Sequence, residues 1–134
     1  MLSIIPGHHK RFLQGYPWLY SNEILKSHLT KELEVGSLAT IAYQDKPIAT
    51  GYFNPHSLIS FRVLTRTMSE KIDTTFFIKR LKEALRLRSQ FYTVPFYRLI
   101  HAEADELPGL IIDRFDDIFV IQITTQGMQK LTNY

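Results

Sequence analysis

The 134-residue chain contains no cysteine. That excludes a disulfide framework, a thiolate zinc site and a thiol nucleophile among these residues. No apolar run approaches the roughly 20 residues needed to cross a bilayer as a helix. The start, MLSIIPGHHKRF, has no charged segment ahead of its apolar patch and no small-residue cleavage site. No signal peptide is therefore expected, and a cytoplasmic location is the expectation. The six glycines, Gly7, Gly15, Gly36, Gly51, Gly109 and Gly127, never fall within one G-x-G or G-x-x-G window. A loop that cradles nucleotide phosphates or S-adenosylmethionine is thus not visible, and neither is a G-x-S-x-G serine-hydrolase elbow. The histidines (His8, His9, His28, His56, His101) lack H-x-x-x-H or H-E-x-x-H spacing, which argues against a histidine metal site.

Hydrophobic residues make up 45% of the chain, enough to bury a core. The length suits one ordinary domain or two small ones. Net charge is only +3, but it is unevenly spread. Residues 60–90 hold eight Lys/Arg against three Asp/Glu, whereas residues 101–117 hold six acids against Arg114. A basic stretch beside an acidic one fits either a surface that faces a polyanion or two solvated faces that partly neutralise each other.

Period-two alternation and turn chemistry dominate the first half. Residues 33–43 read as a turn and a strand, followed by strands in KPIATGYFN and LISFRVLT. The link NPHS has turn chemistry, through side-chain acceptors on Asn54 and Ser57 and the fixed φ of Pro55. Several short strands of this kind imply a small barrel. The period then changes. Over 72–90, Phe77, Leu81, Ala84 and Leu85 share one helical face, Lys79, Lys82 and Arg86 share another, and Asp73 is the expected N-cap. FYRLIHAEAD reads as a strand, ELPG as a turn, and LIIDRF and IFVIQIT as two strands around Asp116-Asp117. The fold class is therefore mixed β and α+β, divided into residues 1–70 and 71–134.

The acids at 103–117 admit a sharper reading. Asp105, Asp113, Asp116 and Asp117 could supply oxygens to Mg²⁺ or Ca²⁺, and Glu103 and Asp105 would form an acid/base pair on one strand face, giving a metal-dependent hydrolase. The spacing is not that of an EF-hand loop. Turn acids and ion pairs are the plainer alternative.

Three ordered stretches resemble one family. HKRFLQGYPWLYSNEI resembles the start of a PUA domain in the class I S-adenosylmethionine-dependent 23S rRNA methyltransferases that make 5-methylcytosine, the large-subunit methyltransferase I type. ATGYFNPHSLISFRVLT resembles that family's segment ending in Arg-Val, and YRLIHAEADELPGLIIDRF resembles its central Y-R-L…L-P-G-L…D-R signature. Two departures stand out: Tyr16 replaces the usual His before Pro-Trp, and Glu106 stands where Gly is common. The resemblance implies a PUA-like β-barrel over 1–70, then a β-β-α-β-β-type domain over 71–134. A Rossmann-like catalytic domain would follow Tyr134 in the full-length protein. It implies 23S rRNA as partner, with no membrane partner, and allows a homodimer of the full-length protein. S-adenosylmethionine would be bound outside this chain, which holds no cofactor and no catalytic residue of its own. The family's thiolate attack on the pyrimidine ring also lies elsewhere, there being no cysteine here. For RNA, the candidates are Lys10, Arg11, Arg62 and Arg66 on phosphates and Tyr16 or Trp18 for stacking. Core packing of Trp18 and Tyr20, and an internally satisfied Arg62, are the alternatives. A stand-alone RNA-binding module without catalytic activity is the other functional reading.

Overall fold

The computed structural model describes all of Met1–Tyr134 and divides into two compact units, Met1–Glu70 and Lys71–Tyr134.

The first unit is a curled sheet. Its elements in chain order are β1 (Leu2–Ser3), α1 (His9–Leu13), β2 (Trp18–Tyr20), α2 (His28–Glu32), β3 (Ser37–Tyr43), β4 (Lys46–Phe53) and β5 (Ile59–Thr65). The spatial order is β1-β3-β4-β5-β2, with β1 parallel to β3 and the remaining pairs antiparallel. Its two edges meet. The Ile5 N–H donates to the Glu23 carbonyl at 2.9 Å and the Leu25 N–H to the Ser3 carbonyl at 2.8 Å, around an Ile4–Ile24 bridge. The segment just past β2 thereby closes against β1, and the expected small barrel forms. Alternating inward residues fill it: Leu2, Ile4, Leu19, Ile24, Ile41, Ala49, Phe53 and Phe61 are buried, capped by Phe12 from α1. Phe12 and Phe61 meet edge to face at 6.4 Å, within the range favoured by aromatic quadrupoles.

Residues 9–13 form a short helix that no sequence periodicity announces, so His9 lies on a helix rather than in a loop. The NPHS turn forms as its chemistry implies, with Asn54 Oδ1 accepting the His56 N–H at 2.9 Å.

The second unit runs α3 (Thr74–Phe91), β6 (Phe96–His101), one 3-10 turn (Ala102–Asp105), β7 (Leu110–Phe115), β8 (Ile118–Ile123) and α4 (Gln126–Lys130). Of the β-β-α-β-β order that the resemblance implies, Lys71–Tyr134 contains the helix and three antiparallel strands, in the order β6-β7-β8. The two strands before α3, β4 and β5, ladder into the first sheet instead. Asp73 caps α3 by accepting the Phe76 N–H, as expected. The buried face of α3 is rotated from the one the sequence suggested. Phe76, Phe77 and Ala84 are buried, Leu81 is half-buried and Leu85 remains 41% exposed.

The strand expected over FYRLIHAEAD ends at His101. Ala102 takes φ +46° and the next residues coil into the 3-10 turn. Glu103 and Asp105 therefore do not share a strand face, which removes the geometry for an acid/base pair. Gly109 adopts φ +79°, and a Cβ there would lie 2.1 Å from Thr125 Oγ1, the side chain that caps α4. Glycine is required on both counts. β8 is an edge strand whose residues Ile118, Phe119, Val120 and Ile121 are all between 45% and 63% exposed.

At Gly51 on β4 a Cβ would sit 2.0 Å from the Arg62 carbonyl oxygen of β5. Relief would require the β4–β5 pairing to open, since the obstacle is backbone. Gly51→Ala is expected to destabilise the first unit by about 1–3 kcal/mol, the usual cost of overpacking. Urea unfolding followed by Trp18 fluorescence would measure it, and an unchanged midpoint would refute the close approach.

Candidate nucleic-acid interface

The first unit gathers arginines and aromatic rings around the α1–β2 connection. α1 presents Arg11, whose Nη2 donates to both carboxylate oxygens of Glu23, at 3.1 and 3.2 Å. Glu23 is buried and also accepts the Tyr20 N–H at 2.8 Å, so its charge is matched on two sides. The Arg11 guanidinium lies 4.1 Å from the Tyr16 ring centroid and 5.1 Å from that of Tyr20. Interactions of this kind are worth about 0.5–1 kcal/mol at exposed sites. Tyr16 meets Trp18 edge to face at 4.9 Å.

The opposite strand completes the group. Arg62 of β5 is the cross-strand partner of Trp18. Arg66, just past β5, donates from Nη2 to the Tyr16 carbonyl at 2.7 Å and lies 4.4 Å from the Phe12 ring centroid. Partial burial lowers its pKa from the ordinary arginine value, and an arginine so placed still carries its charge at neutral pH. The Val63 N–H donates to the Pro17 carbonyl at 2.9 Å and pins the turn between Tyr16 and Trp18.

Five of the six expected residues, Arg11, Tyr16, Trp18, Arg62 and Arg66, thus fall into one cluster. Lys10 is exposed on α1 beside Arg11. Tyr16, Trp18 and Arg62 are half-buried, and the Trp18 Nε1 is buried without an acceptor. Glu23 is the member that sequence reasoning missed. A single acid in YSNEI has no pattern to distinguish it, and only the closure of the barrel turns it toward Arg11.

In the second unit three of the acids of 103–117, Asp105, Glu106 and Asp113, each meet an arginine. On α3, Phe76, Arg80, Ala84 and Arg88 recur every four residues and form one ridge. Arg88 makes a fork-on-fork pair with Asp105, at 2.6 and 2.7 Å, and their side chains are 14% and 7% exposed. Asp105 also accepts the His101 N–H at 2.6 Å. Arg80 pairs with Glu106, and Arg98 with Asp113 at 2.8 and 3.0 Å. Arg114 does not take an acidic side chain. It donates to the Asp116 carbonyl and to the Tyr97 hydroxyl. Of the carboxylates assigned above to a cation cage, Asp105 and Asp113 are taken by separate arginines and Asp116 offers Arg114 only its backbone carbonyl, and no group of three or more His, Asp and Glu is placed to hold an ion.

S-adenosylmethionine does not fit the residues present. Gly7, Gly15, Gly36 and Gly109 each serve a separate positive-φ turn, and none joins another to form a phosphate or nucleoside cradle.

The ion pairs can be probed directly. Arg88→Ala leaves Asp105 buried and without its cation, a change that typically costs about 3–5 kcal/mol. Thermal unfolding should show a large loss for that variant, and the paired Arg88→Met, Asp105→Leu variant should recover much of it. The Arg98 guanidinium, through its hydrogen bonds to the carboxylate, holds Asp113 below the ordinary aspartate pKa. A depressed folded-state pKa contributes stability that is present above the unfolded value and is lost as pH falls through the folded one. Carbon-detected NMR titration of the side chain should place Asp113 below a model aspartate, and Arg98→Ala should return it toward the ordinary value.

Comparison with known proteins agrees with the architecture. Residues 2–66 match the PUA-like domain family. Over 132 residues the chain is 35% identical to Ribosomal RNA large subunit methyltransferase I of Shigella dysenteriae. Over 135 residues it is 34% identical to the protein of that name from Escherichia coli. Each alignment takes in 96% of this chain and 33% of the relative, so the chain spans about a third of the length of these curated relatives. Among solved structures, a chain described as a SAM-dependent methyltransferase from Streptococcus mutans superposes with a TM-score of 0.78. A methyltransferase complexed with SAH superposes with a TM-score of 0.79. Both are 16% identical, cover 98% of this chain and are themselves 34% covered, a likeness that concerns the fold. Residues 2–66 are similar to PUA-like domains, and nearly the whole chain is similar to one third of a ribosomal RNA large subunit methyltransferase I.

Proposed function

We propose that this chain is the RNA-recognition portion of an S-adenosylmethionine-dependent rRNA methyltransferase, acting on 23S rRNA in the cytoplasm. The observation that carries the reading is the Arg–aromatic cluster set on a PUA-like barrel. The similarity of 96% of the chain to rRNA methyltransferases supports it. Cofactor binding, methyl transfer and homodimer formation belong to the longer protein, of which this chain spans a part.

The residues divide by role. Lys10 and Arg66 offer exposed cations to phosphates, and Arg62 borders them on β5. Phosphate neutralisation releases counterions and supplies most of the affinity. Tyr16 offers a ring for an unstacked base, with Trp18 behind it. Arg11 acts as a positioning residue, because its charge is matched by Glu23 while its guanidinium lies against Tyr16 and Tyr20. α3 contributes little to RNA binding through Arg80 and Arg88, which are occupied by acids, whereas Lys82 and Arg86 are more open to solvent.

The test is binding of 23S rRNA fragments, read by fluorescence anisotropy at several salt concentrations. Lys10→Ala and Arg66→Ala should each weaken binding and flatten the salt dependence, by roughly 0.7–0.9 in log–log slope for each phosphate no longer neutralised. Tyr16→Ala should lower affinity with the slope kept. Wild-type slopes in both the Lys10 and the Arg66 variants would reject the cluster as the interface. Equal affinity for unrelated structured RNA would reject 23S specificity.

A further inference from the structure

A second feature of the barrel lies at the other end of the β2–β5 ladder from Arg66. The ladder runs from Trp18 opposite Arg62 to Tyr20 opposite Ile59, and continues with the Ser21 N–H donating to the Leu58 carbonyl at 2.9 Å. Beyond it the chain turns through Lys26 into α2 and leaves a cavity of about 290 Å³ against the strands. Its wall is apolar: Ile24, Phe53 and Pro55. Lys26 and Lys31 stand at its rim, and Ser60 lines it from β5. No Asp or Glu lines the cavity, and Glu32, the acid of α2, faces His28 at 3.0 Å. The Ser60 hydroxyl donates to the Ser57 carbonyl at 2.6 Å, so what it can offer a ligand is its lone pairs.

We infer that this cavity is a nucleotide subsite for single-stranded RNA, with a base held against Ile24, Phe53 and Pro55 and its phosphate between Lys26 and Lys31. The volume lies at the lower bound of small-molecule pockets, roughly 300–1,000 Å³, and so admits one nucleotide-sized group rather than a larger ligand. An apolar wall with two cations and no carboxylate selects a flat apolar group that carries negative charge. The Ser60 hydroxyl accepts from a base amino or imino group. Position supplies the rest of the argument. Trp18 and Tyr20 are two residues apart on one strand, so the cavity and the arginine cluster lie roughly 7–10 Å apart along the ladder, and one oligonucleotide reaches both. The inference rests on the RNA-binding reading above and extends it from a phosphate-tracking surface to a site that receives an extruded base.

The experiment uses the full 134-residue chain and a six-nucleotide single-stranded RNA, with amide NMR shifts and salt-dependent affinity as readouts. Binding is expected to shift Ile24, Phe53 and Ser60 as well as Tyr16 and Trp18. Lys26→Ala with Lys31→Ala is expected to weaken binding about tenfold. It should also reduce the log–log salt slope by about 0.7, the contribution of the single phosphate held between the two lysines when neutralised on a single strand. Both lysines are exposed, so the variant should fold as the wild type does. Uridine 5′-monophosphate alone should move the Ile24, Phe53 and Ser60 resonances. If the oligonucleotide binds with shifts confined to residues 16–18 and 62–66, and the double variant keeps the wild-type slope, the subsite is refuted while the RNA reading stands. If the wild-type chain binds neither the oligonucleotide nor 23S fragments, the RNA reading falls and takes the subsite with it.

Discussion

The Arg88–Asp105 pair is the constraint on which the second unit depends. One carboxylate receives two guanidinium hydrogen bonds and the His101 amide, and by doing so joins α3 to the end of β6. The same arginine donates from Nε to the Arg98 carbonyl, which extends the tie along the strand. Without it the chain would have no local reason to leave extended geometry at Ala102, whose positive φ is costly for a residue with a Cβ. The turn then delivers Leu107, Pro108 and Gly109 to buried positions and starts β7 in register. Asp105 and Glu106, beside the LPG turn, therefore act as anchors for the α3 arginines.

The first unit depends on a comparable match at Arg11 and Glu23, with the difference that its cation is half open to solvent. Here the carboxylate fixes the far side of the barrel seam, next to the Ile4–Ile24 bridge, while the guanidinium orders two tyrosine faces. One ion pair therefore serves both closure of the sheet and presentation of the recognition surface. Loss of either partner would disturb both.

Much of this architecture is legible in the residues. β3, β4 and β5 follow from alternation, the β7–β8 hairpin from two apolar runs around Asp116-Asp117, and α3 with its Asp73 cap from a change of period. Tyr16, Trp18, Arg62 and Arg66 stand out as residue types, although their convergence does not. The rest is hidden for identifiable reasons. β1 is two residues long and α1 five, too short for any period to register. The 3-10 turn resembles a strand because IHAEAD alternates in polarity. The arginine ridge of α3 is hidden because charge on a helix is ordinarily solvated, whereas Arg80 and Arg88, in line with the buried Phe76 and Ala84, turn inward to meet acids about 20 residues away in sequence. Glu23 gains its role only through closure of the barrel, a long-range event.

The open strand β8 has a practical meaning. Its sequence, IFVIQI, carries no charge and no proline, its side chains are exposed on both faces, and one of its edges has no neighbouring strand. Natural sheets blunt such edges with lysine, proline or a bulge, because an unprotected one templates the addition of further strands. Handled by itself at high concentration, the polypeptide would tend toward β-rich aggregation, with crowding rather than heat as the stress that exposes it.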